Sequence, residues 1–207
     1  MRKYRYLLIG AFLVFTAIIA GCFGETTSSS SEEAEAEYTR GTLTENSFES
    51  KFLNLRFTLP DGFNIISETD LNALNASRGF AKDLDFMNEY VVYEMIAMTP
   101  INVPSVSVIV EKLSVMGITI EAYIEDFKEE MLKGGFDNIS FADETIKVKF
   151  AGETYTQVNV TLYVLGTEIN QKYLFRQIDD RVVNIVATYT PETEAEMQIL
   201  LDAFDSF

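Results

Sequence analysis

The 207-residue chain has no histidine, no tryptophan and one cysteine. Without histidine there can be no Ser-His-Asp or Cys-His arrangement, and most zinc sites lose their usual ligand. One cysteine excludes an intramolecular disulfide and a cysteine-rich metal site. The glycine patterns that hold phosphates or dinucleotides are also missing, as is the G-x-S-x-G turn of serine hydrolases. Basic residues are scarce: 16 Lys and Arg stand against 32 Asp and Glu, a formal charge of −16. Phosphate binding needs clustered cations, so no nucleic-acid partner is expected. What remains is a chain with a globular balance of apolar and charged residues, long enough for one ordinary domain or two small ones.

The strongest signal lies at the start. Arg2, Lys3 and Arg5 form a basic cluster, and Leu7 to Ala20 is an uncharged apolar run of 14 residues. Ile19-Ala20-Gly21-Cys22 follows and contains the only cysteine. A basic start, an apolar core and small residues at a cut are the parts of a secretory signal. The run is short for a bilayer-spanning helix, which needs about 20 apolar residues. The stretch resembles the lipobox of bacterial lipoproteins, with Ile19 in place of the usual Leu. The resemblance implies cleavage between Gly21 and Cys22 and a diacylglyceryl group on the Cys22 thiol, with Ile19, Ala20 and Gly21 as the cleavage flank. Residues 1–21 are then the signal peptide. Two other readings compete, an uncleaved anchor over Leu7 to Phe23 and an incidental thiol after an ordinary signal. All three place the rest of the chain outside the cytoplasm.

Residues 22–38 read as the attachment cysteine and a tether. Glu25 to Glu37, ETTSSSSEEAEAE, holds no aromatic and no branched aliphatic residue. Such a segment cannot bury enough apolar area to offset chain ordering, and its like charges extend it. A solvated linker is the plain reading; an acidic ligand for a cation or a basic partner is the sharper one. Without residues 1–21 the chain carries 13 basic and 32 acidic groups, a charge of −19. Five of those acids lie in the linker, so the remainder, with 27 acids and 13 bases, is acidic on its own account.

Residues 39–207 read as one α+β domain, an antiparallel sheet of about six or seven strands packed with two or three helices. Leu53, Leu55, Phe57 and Leu59 alternate with polar residues, and Pro60-Asp61-Gly62 ends that strand. Tyr90 to Thr99 is nearly continuous apolar, and Val106, Val108 and Val110 alternate in the next strand. Four strands follow near 146–150, 157–164, 173–178 and 182–189, joined at Ala151-Gly152, Leu165-Gly166 and Asp179-Asp180. Turns so short join antiparallel neighbours. Ser67 caps a first helix whose buried face holds Leu71 and Leu74. Thr119 to Lys133 is the clearest helix, with Ile120, Tyr123, Ile124, Phe127 and Met131 on one face. Thr190 and Pro191 open the last helix, with Met197, Leu200, Leu201 and Phe204 as its apolar stripe.

The order of these elements, with Leu59-Pro60-Asp61-Gly62-Phe63, the paired strands around Tyr93 to Ala97 and Val106 to Leu113, and the ending Leu200 to Phe204, resembles the PsbP-like fold. The DcrB-like group shares that architecture. The resemblance implies a binding or assembly factor with no enzymatic activity, and it supplies no ligand motif.

Chemistry-bearing residues are sparse. The close carboxylate pairs are Asp83 with Asp85, Glu129 with Glu130, and Asp179 with Asp180. A two-carboxylate hydrolase would use such a pair, and Asp83 with Asp85 would suit calcium only with further oxygens. Asn75, Asn138 and Asn159 begin glycosylation-type triplets, read as coincidence beside a bacterial lipobox. Tyr155 and Tyr163 share the more polar face of one strand with Gln157, Asn159 and Thr161. That face is either covered by a helix or open as a shallow binding surface. No catalytic residue, metal ligand or cofactor is expected. The partners expected are the membrane, through lipid on Cys22, and a protein. The leading expectation is a lipid-anchored, non-enzymatic binding or assembly module on the outer face of a bacterial membrane. The alternatives are a surface sensor for a small ligand or cation, and a carboxylate-based hydrolase.

Overall fold

In the computed structural model of the protein the described residues are 38–77, 91–113, 117–133 and 138–207. Cys22, with Ile19, Ala20, Gly21 and the linker, lies outside them, as do Asp83 and Asp85. The elements in chain order are β1 (Thr42–Leu43), β2 (Ser47–Ser50), β3 (Leu55–Thr58), β4 (Asn64–Ile65), α1 (Glu68–Ser77), β5 (Val91–Met98) and β6 (Ser105–Lys112). After these come α2 (Ile120–Lys133), β7 (Ser140–Phe141), β8 (Ile146–Phe150), β9 (Glu153–Val164), β10 (Thr167–Ile178), β11 (Arg181–Tyr189), α3 (Glu194–Asp202) and β12 (Phe204–Asp205).

The strands make two antiparallel sheets. The large one runs β4-β5-β6-β11-β10-β9-β7, with β8 also paired to β9. The small one runs β1-β2-β3-β12. The chain is thus α+β, as the sequence predicts, and the seven expected strands are β3, β5, β6, β8, β9, β10 and β11. The five others are two to four residues long and too short to show a period of their own. Of these, β1, β2 and β12 join β3 in a second layer that the alternation alone does not reveal, while β4 and β7 extend the large sheet.

The large sheet is covered on both faces. One carries Tyr93, Val160, Tyr173, Phe175 and Val182 under α1 and α2, which supply Leu71, Tyr123, Ile124, Phe127 and Met131. The other carries Met95, Val108, Val110, Tyr155 and Ile185 under the small sheet and α3, which supply Phe48, Phe57, Leu200 and Phe204. All nine residues of β11 are buried, because it is central in the sheet and covered from both sides. Burying each such Val, Ile or Phe contributes about 1.5–3 kcal/mol.

The helices follow their local signals. Ser67 Oγ accepts from Asp70 N–H at 3.2 Å and Thr119 Oγ1 from Ala122 N–H at 3.3 Å, so both act as N-caps. At the third helix the structure differs by a few residues. Pro191 opens a 3₁₀ turn over Pro191–Thr193, and α3 starts at Glu194. Phe204 leaves the helical stripe for β12, where it pairs with Phe57 across the small sheet. Its ring lies 4.8 Å from Phe57 and 5.2 Å from Phe150, which seals the sandwich with the end of the chain.

Candidate functional site

The most densely polar part of the interior surrounds Glu94. This acid sits inside an apolar strand, where alternation would send Met95 to the helix-covered face. A β-bulge falls between Tyr93 and Met95. The extra residue turns Met95 toward the small sheet together with Glu94. Glu94 is 2% exposed. Its carboxylate accepts from the Tyr38 hydroxyl and, at 2.9 Å, from the Gly41 N–H. Gly41 is required by close approach. A Cβ there would lie 2.9 Å from the Glu49 carbonyl and would press into the Phe48 ring. The Arg181 guanidinium lies 4.0 Å from the centre of the Tyr38 ring. Arg181 Nη1 is buried with no hydrogen-bond partner among the described residues, so the ring face is its principal neighbour. Burial pushes the Glu94 carboxyl up, while its two donors and the charges of Arg40 and Arg181 oppose that rise.

The adjoining edge of β5 is closed by side chains. Asn75 Oδ1 accepts from Tyr93 N–H at 3.0 Å, and Asn75 Nδ2 donates to Tyr93 C=O at 3.2 Å. Arg40 Nη2 donates to the same carbonyl at 3.1 Å, and its Nη1 donates to Asn72 Oδ1 at 3.0 Å. A recess of about 260 Å³ lies among Arg40, Asn72, Asn75 and Val92. These side chains do for the strand what a neighbouring strand would do.

A second acid, half-buried, lies on the opposite face. Glu111 stands across from Val91 and Val182, both in the helix-covered core. Tyr123 of α2 donates its hydroxyl to Glu111 Oε2 at 2.7 Å. Burial pushes the Glu111 carboxyl up to about 7, against the lowering effect of that hydrogen bond. The sheet separates Glu94 from Glu111, so the two cannot act on one substrate.

Of the carboxylate pairs named from sequence, the two within the described residues do not converge on a pocket either. Glu129 and Glu130 stand on the outside of α2, both within reach of Lys133, at 3.8 and 2.7 Å. Asp179 and Asp180 form the tight turn between β10 and β11, with Asp180 3.8 Å from Arg181 Nε. Among the described residues no group of His, Cys, Asp and Glu is arranged to hold a metal ion. No described helix is long and apolar enough to cross a membrane.

The polar face of β9 divides into two parts. Tyr155 is 1% exposed and packs edge-on against Phe150. Tyr163 is 43% exposed. Between them Gln157, Asn159 and Thr161 are half-buried and stand opposite Leu174, Lys172 and Asn170 of β10. Their side chains bond along and across the strands. Thr161 Oγ1 lies 2.7 Å from Asn170 Oδ1, and the Tyr163 hydroxyl donates to Glu168 at 3.1 Å. The helix α3 meets this surface at its start, where Glu194 lies 3.8 Å from Lys172. A nine-residue helix is about 14 Å long, and a twelve-residue strand about 40 Å. The outer part of the hairpin therefore stays open.

Sequence reasoning named neither Glu94 nor Glu111. Glu94 had a readable signal, a lone acid within an apolar run. Glu111 had none beyond its place at a strand end. Asn75, read as a chance glycosylation triplet, has its side-chain amide committed to β5.

No family model matches the chain. No curated protein matches it either. Among solved structures it is similar to cyanobacterial PsbP of Synechocystis, at 8% identity, 84% of this chain, 99% of that chain and TM-score 0.46. It is also similar to LpqN of Mycobacterium tuberculosis, a protein involved in cell envelope biogenesis, at 12% identity, 73% and 82% coverage and TM-score 0.45. A Pseudomonas aeruginosa protein of unknown function shares 12% identity over 46% of this chain, at TM-score 0.35. The chain spans 65% of that protein's length, just under two thirds. No function is carried over from these likenesses.

Proposed function

We propose that the chain is a lipid-anchored, non-enzymatic binding or assembly module, tethered through Cys22 to the outer face of a bacterial membrane and acting through a protein partner. The observation that carries this reading is the contrast between interior and surface. The acids of the interior tie chain segments together: buried Glu94 to Tyr38 and Gly41, half-buried Glu111 to Tyr123. The outer part of the β9–β10 hairpin presents an ordered, half-exposed row of hydroxyl and amide groups around Tyr163. Such a row suits a polar protein interface, in which aromatic side chains are enriched. The basic start, apolar run and lipobox-like Ile19 to Cys22 support the tether.

Photo-crosslinking in the protein's own cells tests this, with a crosslinkable residue at position 163 and a control at exposed position 198 of α3. The expected result is a discrete adduct from position 163, none from position 198, and loss of membrane attachment in Cys22→Ala. Equal fatty-acid labelling of wild type and Cys22→Ala removes the lipid tether. No adduct from position 163 removes the binding surface.

A further inference from the structure

Two sheet edges meet on one side of the molecule. β1 is an outer strand of the small sheet and β4 an outer strand of the large one. Both contribute to a groove of about 480 Å³ whose apolar lining includes Leu43, Leu59, Phe63 and Ile65. Both strands carry backbone groups that the neighbouring strand of their own sheet does not take up. Ile66 N–H donates to Ile96 C=O at 2.9 Å. Antiparallel bonding alternates along a strand, so the N–H and C=O of Ile65 point away from β5. Thr44 N–H donates to Ser47 C=O at 2.8 Å, which in the same way turns the N–H and C=O of Leu43 away from β2. An open strand edge beside an apolar trough is the surface on which an extended peptide adds as a further strand.

Charge selects the occupant. The exposed Glu45 and Glu68 both line the groove, and among the described residues no Lys or Arg does. The chain's own linker, with acids at Glu25, Glu32, Glu33, Glu35 and Glu37, is repelled there. So is a second copy of a domain with 27 acids and 13 bases. We propose that the groove binds an extended segment of a partner protein in which apolar and basic side chains alternate, added as a strand along the Ile65 edge. Apolar side chains of the segment enter the trough, and basic ones reach Glu45 and Glu68. The proposal rests on the binding-module reading and names the chemistry of the partner.

The test titrates a capped heptapeptide of alternating Lys and Val into the full chain held in detergent, with backbone amide NMR as the readout. A peptide of the same composition in block order, four Lys then three Val, is the control. The alternating peptide is expected to bind saturably and to shift the amides of Leu43, Glu45, Ile65 and Glu68. In the double variant Glu45→Gln/Glu68→Gln, which alters only exposed side chains, its affinity falls about tenfold. Ile65→Pro removes the outward N–H at an edge position where proline is tolerated, and abolishes the shifts at Leu43. Equal binding of the two peptides, or shifts that map elsewhere, overturns the proposal. Failure of the peptide with the adduct at position 163 intact overturns the groove alone. Failure of both removes the binding-module reading as well.

Discussion

Glu94 with Tyr38 and Glu111 with Tyr123 are the same chemical pair on opposite faces of one sheet. Their surroundings differ. Glu94 accepts from a phenol and from a backbone N–H, and two arginines add their charge. Glu111 accepts from a phenol, and burial dominates its titration. The first pair fastens the segment before β1, at Tyr38 and Gly41, to the middle of β5. The second fastens α2 to the end of β6. A carboxylate that ties distant segments and has nearby cations keeps its charge more readily than one that ties a single hydroxyl. The comparison shows that burial alone does not assign an acid its role; the donors and charges around it do.

Removing Glu94 should have the largest effect. Glu94→Ala leaves the Tyr38 hydroxyl and the Gly41 N–H without their acceptor in a buried place, and removes the negative charge that acts on Arg40 and Arg181. The expected loss of stability is roughly 3–5 kcal/mol, read from the denaturant midpoint. A loss below about 1 kcal/mol would show that the cluster is not the fastening described.

Glu111 should give a smaller effect that depends on pH. Its folded-state carboxyl titrates at about 7, above the ordinary 4.5. The folded protein therefore holds a proton that the unfolded chain releases. This contribution is complete below about 4.5 and is lost as pH rises through 7. The wild type is expected to be less stable at pH 8 than at pH 5, by up to about 3 kcal/mol from this group. Glu111→Gln still accepts from Tyr123 and removes that part of the slope, so it should be the more stable protein at pH 8. The raised carboxyl of Glu94 contributes in the same direction, so some slope should remain. Urea midpoints of the two proteins at both pH values measure the difference.

Much of this arrangement was legible before the structure. Period-two alternation marked β8 and β9, two further runs marked β10 and β11, and the short turns gave their antiparallel order. Ala151-Gly152 and Leu165-Gly166 adopt positive φ at both residues, as two-residue hairpins require, although Ala and Leu are poor suits for it. The stripe of α2 is buried as its spacing implies. The small sheet was not legible. Its strands have two to four residues, and β12 pairs with β3 across most of the chain. The Glu94 cluster joins residues 53 to 56 positions apart, a separation on which local patterns are silent. The polar face of β9 left two readings open, and each describes one end: Tyr155 is covered and Tyr163 is open.

In the function proposed above, Glu94 and Glu111 serve the fold and the open end of the β9–β10 hairpin makes the contact. Crosslinking from position 163 in a chain that also carries Glu111→Gln tests it most directly. The account predicts the same adduct, in the same yield, as in the chain with Glu111 intact. Loss of the adduct from a Glu111→Gln protein that unfolds as cooperatively as the wild type would contradict it, and would place the acid in the function itself.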